Sequence, residues 1–350
     1  MKILLLSSTV PEYTKSLFLA LKKINKDTYL IYLNQGERGI FEDIENLIKI
    51  NRPKIRSIKN IFLLLNLKKI INNIKPDIIH IQISYPWFLL LLPFIKCKKI
   101  FTKHDVYKHP GDVDKSFYFN EFSIMHQSNG IIVHSSKLKE ELRKKNIKQP
   151  IYVIPHGNFS IYKPKKIYKE KKNHILFFGR IYEYKGLKYL IEAEPLIKDK
   201  IKDFKIVIAG KGEDFSKYEK MIKNKDSFII HNRYIPDEEM MKLFQESSVV
   251  VLPYIEASQS GVIPLAYQFK KPVIATDVGA LSDVVINKKT GLLIEPKNVK
   301  LLADSIIYIL THPKERKKMG KEGYKFAQKE LSWDKIAKKT IEAYKDVLNN

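Results

Sequence analysis

The chain has little cysteine. Cys97 is its one thiol in 350 residues, so no internal disulfide can form. The fold must stand on its apolar core, and a lone thiol fits a reducing compartment. Long apolar runs are missing too. The longest, Pro86 to Ile95 (PWFLLLLPFI), is too short to span a bilayer. The N-terminal MKILLLSSTV stops at Val10-Pro11, lacks the length of a signal segment with a cleavage site, and reads as a first buried strand. A cytoplasmic protein is expected, or one at the cytoplasmic face of a membrane. No GxxxxGK[ST] loop is present, which argues against an ordinary nucleoside triphosphatase, and no G-x-G-x-x-G follows the first strand, which weakens a dinucleotide reading. No histidine or cysteine cluster has metal-ligand spacing, so neither a metal nor a cofactor is expected.

Acids are the scarce charge. The 38 Asp/Glu face 63 Lys/Arg, for a formal net charge of +25. Such an excess invites nucleic acid, but it is spread out: 26 Lys/Arg against 13 acids in residues 1–150, and 37 against 25 in the rest. Without a concentrated stripe or a recognisable motif, nucleic acid is not an expected partner. An anionic partner is, whether a membrane surface, a phosphate-bearing substrate or both. The length suits two domains, each with its own core.

Apolar runs alternate with helical patterns throughout. Residues 3–6 (ILLL), 29–33, 77–83 (DIIHIQI), 99–102 and 130–134 (GIIVH) read as strands, with a loop from Ser7 to Thr14 and a helix from Lys15 to Ile24. This alternation predicts a doubly wound parallel sheet, whose ligands bind at the carboxyl ends of the strands. Ser7, His80, His104 and His134 lie at or near such ends. In FTKHDVYKHPGD, His104 follows an apolar strand and a second histidine, His109, follows it. A titratable side chain there can bond a substrate hydroxyl, or it can be a structural histidine satisfied by backbone. His134 reads as structural, with Ser135 or Ser136 capping the next helix. Residues 51–100 carry ten Lys/Arg against Asp77 alone, around the apolar run IFLLLNL. The pattern fits a face docking on anionic lipid, or an ordinary helix with an apolar core side and solvated lysines.

Tyr152 to Pro155 reads as a strand, and residues 161–172 as an interdomain linker with no apolar periodicity. From His174 the alternation starts again, with strands at 174–178, 205–209, 227–230, 249–253 and 272–276, and helices at 187–198, 214–224, from 236 and at 262–269. Two such α/β domains facing each other would leave a cleft for a nucleotide-bearing ligand. In FFGRIYEYKG (177–186), Gly179 lets the backbone approach a ligand, Arg180 can clamp an oxyanion in bidentate fashion, and Lys185 adds a point charge. The same segment could be an ordinary strand–turn–helix connection with exposed cations. The loop Ser258-Gln259-Ser260-Gly261, opening a helix at Val262, would offer backbone amides to a phosphate.

These segments together resemble a retaining glycosyltransferase of family 4 with the GT-B fold. KPDIIHIQ (75–82), FTKHDVYKH (101–109), GIIVHSSKLKEEL (130–142) and VIPHGN (153–158) resemble its first domain. GRIYEYKG (179–186), IAGKGE (208–213), YIPDEEM (234–240), residues 252–284 and TGLLIEP (290–296) resemble its second, and LSWDKIA (331–337) its C-terminal helix, which crosses back onto the first domain. The resemblance implies domains at 1–160 and 173–330 joined by the linker, then a returning helix at 331–350. It implies a nucleotide-diphosphate sugar as donor and a carbohydrate or lipid-linked acceptor, with no metal. Arg180 and Lys185 match the cations that stabilise the departing diphosphate, and His104 matches the histidine that contacts the donor sugar. Gly179, Gly210, Glu256, the loop 258–261 with Val262, and the nucleobase segment Arg233-Tyr234-Ile235 fall to the donor; Ser8, Thr9 and His109 fall to the acceptor side. Membrane contact, as a peripheral protein, is an expected accompaniment of a lipid-linked acceptor.

Two departures stand out. The loop Ser7 to Thr14 contains no glycine. An ungapped match anchored on Pro253 and Pro272 puts Ala257 and Leu265 where the family carries paired glutamates, with Glu256 one residue from the first. Altered donor recognition follows, and a non-catalytic nucleotide-sugar or glycan-binding module on the same scaffold is the alternative.

Overall fold

A computed structural model describes residues 1–8, 11–34, 44–82, 85–104 and 115–350, with backbone alone for 115–119. The chain forms two compact units. The first holds the described residues up to Gly157 together with Ser332–Asn350, and the second holds Asn158–Leu331.

In the first unit the strands are β1 (Ile3–Ser7), β2 (Thr28–Asn34), β3 (Leu47–Asn51), β4 (Ile78–Ile81), β5 (Lys98–Lys103), β6 (Gly130–Val133) and β7 (Ile151–Val153). They form a parallel sheet in the order β3-β2-β1-β4-β5-β6-β7. The runs ILLL and GIIV suit this because both faces of the sheet are covered. Ile3 and Leu5 join one core with the helices Pro11–Ile24 and Trp333–Asn349, and Leu4 and Leu6 join another with the helix Lys59–Ile74. Strand order reverses between β1 and β4, which makes their carboxyl ends the switch point where ligands bind in such sheets.

The helix expected from Lys15 begins four residues earlier, at Pro11. Proline is at home in a first helical turn, where its missing N–H costs nothing, and Tyr13 is buried on that turn. The strand β3 (LIKIN) was not anticipated; it is a half-exposed edge with no strong alternation. Ser135 caps the helix Ser136–Lys144, accepting from Leu138 N at 3.2 Å.

The final helix Trp333–Asn349 packs against Pro11–Ile24. One buried contact fixes it to the sheet: the Tyr344 hydroxyl lies 2.6 Å from His80 Nδ1, and His80 Nε2 lies 2.6 Å from Thr102 Oγ1. Burial pushes the His80 imidazole down to about 3, with the nearby His134 adding to the effect.

The second unit repeats the plan with β8 (His174–Phe178), β9 (Lys205–Gly210), β10 (Phe228–Asn232), β11 (Val249–Leu252), β12 (Val273–Thr276) and β13 (Gly291–Ile294), all parallel in the order β10-β9-β8-β11-β12-β13. Its switch point lies at the carboxyl ends of β8 and β11. The helix expected over 214–224 is a single turn, Ser216–Glu219. Buried Glu194 accepts from Asn224 Nδ2 (3.0 Å) and Ser227 Oγ (2.6 Å), which draws the chain out of helix early. The stretch 161–172, expected as a linker, carries contacts to this unit: Lys171 N donates to Glu246 O, and Glu170 pairs with Lys271 at 3.0 Å and Arg316 at 2.7 Å.

Candidate active site

The FFGRIYEYKG segment leaves β8 at the switch point of the second unit. Its path depends on two glycines. A Cβ on Gly210, at φ +151, would lie 1.7 Å from the carbonyl oxygen of Gly179, so the segments leaving β8 and β9 run closer than any side chain allows. Gly186, at φ +67, would place a Cβ 1.8 Å from the Pro253 carbonyl oxygen. The backbone of Arg180 to Lys185 is thereby held against the segment after β11, and Ile255 N donates to Tyr184 O at 2.7 Å.

Tyr254 is the hub of this arrangement. It is buried, its carbonyl accepts from Thr276 Oγ1 at 2.6 Å, and its hydroxyl lies 3.3 Å from Ser260 Oγ. The Lys185 ammonium sits over its ring, 3.7 Å from the centroid, a cation–π contact. Burial pushes its phenol up to about 12, against the opposing pull of the Ser260 hydrogen bond and the Arg180 charge. Tyr254 thus gathers both cations and the 258–261 loop. Sequence reasoning did not single it out, although an aromatic directly after a strand-ending proline was the signal available.

Ser258 is buried, and its hydroxyl has no hydrogen-bond partner among the described residues. Gln259, Ser260, Gly261 and Val262 are partly open. The following helix, Val262–Gln268, is short, and the Ser260 hydroxyl accepts from Val262 N at 3.3 Å. Its dipole is therefore slight, and loop amides and hydroxyls carry the polarity. Glu256 is exposed. Leu265 is 6% exposed and belongs to the apolar core with Ala266 and Tyr267.

Asn232 pairs in register with Gly210, which puts Arg233 to Ile235 on the same carboxyl edge as Gly179. The Arg233 guanidinium is engaged by Glu239 at 2.6 Å and by the Tyr234 carbonyl at 3.2 Å. Tyr234 is 76% exposed, while Ile235 is buried.

In the first unit, His104 follows β5. His134 Nδ1 lies 2.9 Å from the Ile154 carbonyl and donates to it. His134 Nε2 in turn lies 3.0 Å from His104 Nδ1, which ties the two rings together. Tyr13 packs edge-on against both rings. His156 packs on Tyr13 and His134, and burial together with the His134 charge pushes it down to about 4, against its bond to the Gly157 carbonyl. The histidine pair was not foreseen, because the two residues lie on different strands.

At this unit's switch point Ser8 is buried and accepts from Arg52 at 3.3 Å. Ser7 lies 2.8 Å from Thr14 Oγ1, and Thr14 donates to Gln82 Oε1 at 3.0 Å, while Gln82 Nε2 is buried with no partner among the described residues. Arg52, Thr14 and Gln82 are further polar groups of this edge, and no sequence pattern marks them. Thr9 and His109 lie outside the described residues.

Residues 158–326 match the family Glycosyl transferases group 1, and residues 12–157 match Glycosyltransferase Family 4. The chain belongs to these glycosyltransferases and has the GT-B fold. It is 29% identical over 318 residues to the uncharacterized glycosyltransferase MJ1178 of Methanocaldococcus jannaschii, covering 87% of this chain and 86% of that one. It spans only 42% of the length of the D-inositol 3-phosphate glycosyltransferases that it matches from Arthrobacter and Pseudarthrobacter. Among solved structures, sucrose-phosphate synthase of Thermosynechococcus elongatus superposes with a TM-score of 0.78 at 18% identity over the whole of both chains. Anabaena HepE in complex with UDP and glucose superposes at 0.72 and 15% identity, covering 99% of this chain and 100% of that one.

Proposed function

We propose that the chain moves a sugar from a nucleoside-diphosphate sugar to an acceptor hydroxyl, with retention at the anomeric carbon and without a metal, in the assembly of a cell-surface polysaccharide, glycolipid or glycan. The observation that carries this reading is the Tyr254 hub, which gathers Lys185, the Arg180 charge and the loop with the orphaned Ser258 hydroxyl at one switch point.

The chemistry follows from charge. As the bond from the anomeric carbon to the diphosphate breaks, the electron pair goes to the leaving diphosphate. Fixed cations that meet this growing charge lower the barrier. Arg180 offers a planar fork and Lys185 a point charge already placed on a ring. The Ser258 hydroxyl would regain a partner by donating to a phosphate oxygen. The exposed Tyr234 ring and the backbone of 233–235 suit a nucleobase. HepE, similar in fold, was solved with UDP, which supports a nucleotide donor here. His104, which the resemblance matches to the donor sugar, would hydrogen-bond one of its hydroxyls. Ser8, Arg52 and Gln82 offer an acceptor-side polar set.

The test is to incubate the purified chain with a panel of nucleoside-diphosphate sugars and follow thermal shift together with release of nucleoside diphosphate. One base and one sugar should stabilise the chain and be turned over. The alternative of a non-catalytic binding module is favoured by Leu265, buried in the core where the family pattern has a carboxylate. That reading expects stabilisation with no turnover under any acceptor.

A further inference from the structure

The helix Lys59–Ile74 is apolar on two opposite faces. Leu63, Leu67 and Ile71 form the stripe that packs on the sheet. Ile58, Ile61, Phe62 and Leu65 follow the helical spacing on the other side and are open to solvent, with Ile58 73%, Phe62 70% and Leu65 61% exposed. An ordinary core helix accounts for the first stripe and leaves the second unexplained. An exposed apolar stripe of this length marks a surface that meets a partner or lipid.

The exposed stripe does not stand alone. Leu90 and Phe94, on the turn that follows Trp87, are 59% and 64% exposed. Lys68 lies over the Phe94 ring at 4.9 Å, and Trp87 Nε1 donates to Ile55 O at 2.8 Å, so the two segments make one surface. Cations surround it: residues 52–75 contain seven Lys/Arg and no Asp or Glu. Beside it runs an open groove of about 1000 Å³ lined by Lys68, Lys75, Lys96 and Lys98 along with Asp77.

We propose that this face docks on an anionic lipid bilayer, the apolar crest entering the headgroup boundary and the lysines meeting lipid phosphates. Amphipathic elements that lie in a membrane interface combine an apolar wedge with flanking Lys and Arg in this way. Charge favours lipid over a second copy of the chain, because a two-fold contact through this face would bring its cations against one another. No described helix is long and apolar enough to cross the membrane, so the contact is peripheral. The inference does not depend on the transferase reading, since vesicle binding needs no turnover.

The experiment is co-sedimentation of the whole chain with vesicles of phosphatidylcholine, alone or with phosphatidylglycerol. Binding should require the anionic lipid and weaken steeply with salt. Each cation lost should reduce partitioning about fivefold, so K68E/K69E should reduce it by more than tenfold. F62S/L65S keeps every charge and should also reduce it by more than tenfold with unfolding unchanged, and a Trp in F62W should shift to the blue on anionic vesicles. The proposal is overturned if the wild type ignores anionic vesicles, or if F62S/L65S binds as well as the wild type, which would leave net charge as the whole cause. It is also overturned if centrifugation without lipid shows a dimer that F62S/L65S abolishes while vesicle binding persists.

Discussion

The ammonium of Lys185 rests 3.7 Å above the ring of buried Tyr254. The ring face holds the cation, while the phenol lies 3.3 Å from Ser260 Oγ. Tyr254→Phe should therefore leave donor affinity within about threefold. Tyr254→Leu removes the platform, and a desolvated cation–π contact is worth about 2 kcal/mol, so donor affinity should fall by roughly tenfold or more. Calorimetric titration of the two variants with the donor found in the panel separates them.

Gly186 has its left-handed backbone pressed against the Pro253 carbonyl. Gly186→Ala must displace backbone as well as strain φ, and should cost more than about 2 kcal/mol. Gly261→Ala would meet Phe159 Cζ at 3.3 Å, a side chain that can give by a few tenths of an ångström. Urea unfolding should show a clearly lowered midpoint for the first variant and little change for the second.

The histidines of the first unit make stability depend on pH. His80 is pushed to about 3 and His156 to about 4, both below the ordinary 6.5 of an unfolded chain. Between those values the unfolded state binds more protons, so stability rises with pH. It is fully present above about 6.5 and is lost as pH falls towards 4 and then 3, at roughly 1.4 kcal/mol for each group and each pH unit traversed. Urea midpoints should hold between pH 7.5 and 6.5 and decline steadily from there to pH 4.5. In Tyr344→Phe, which leaves His80 Nδ1 without its partner, the unfolding free energy at pH 7.5 should already be lower, by about 1–3 kcal/mol.

His134 Nε2 lies 3.0 Å from His104 Nδ1 and holds that ring in place. His134→Ala removes this partner and loosens the orientation of His104. Turnover should drop by about tenfold while donor affinity stays within twofold, and His104→Ala should drop it by about a hundredfold, within the range of a single positioned acid–base group. Steady-state kinetics with parallel binding measurements check this split.

Much of the fold was legible because β1 and β8 are uninterrupted apolar runs, as strands buried on both faces must be. The edge strand β3 was not legible, since a half-exposed LIKIN has neither run nor alternation. The FFGRIYEYKG loop could be read as an anion site from its glycine and two cations. Its dependence on Tyr254 could not, because a ring under a lysine is a matter of packing across two loops. The His104–His134 bond and the Ser7–Thr14–Gln82 chain are likewise contacts between distant segments. For the helix Lys59–Ile74, apolar residues on every side left the core-facing stripe undetermined until Leu63, Leu67 and Ile71 were seen against the sheet.

The central claim is that Arg180 and Lys185 carry the leaving diphosphate. Turnover and donor affinity of Arg180→Ala and Lys185→Ala, measured on the sugar nucleotide that stabilises the wild type, test it most directly. The account predicts a fall in kcat of about a hundredfold or more for each variant, with weakened donor binding alongside and unfolding little changed. Variants that transfer sugar at the wild-type rate would contradict it.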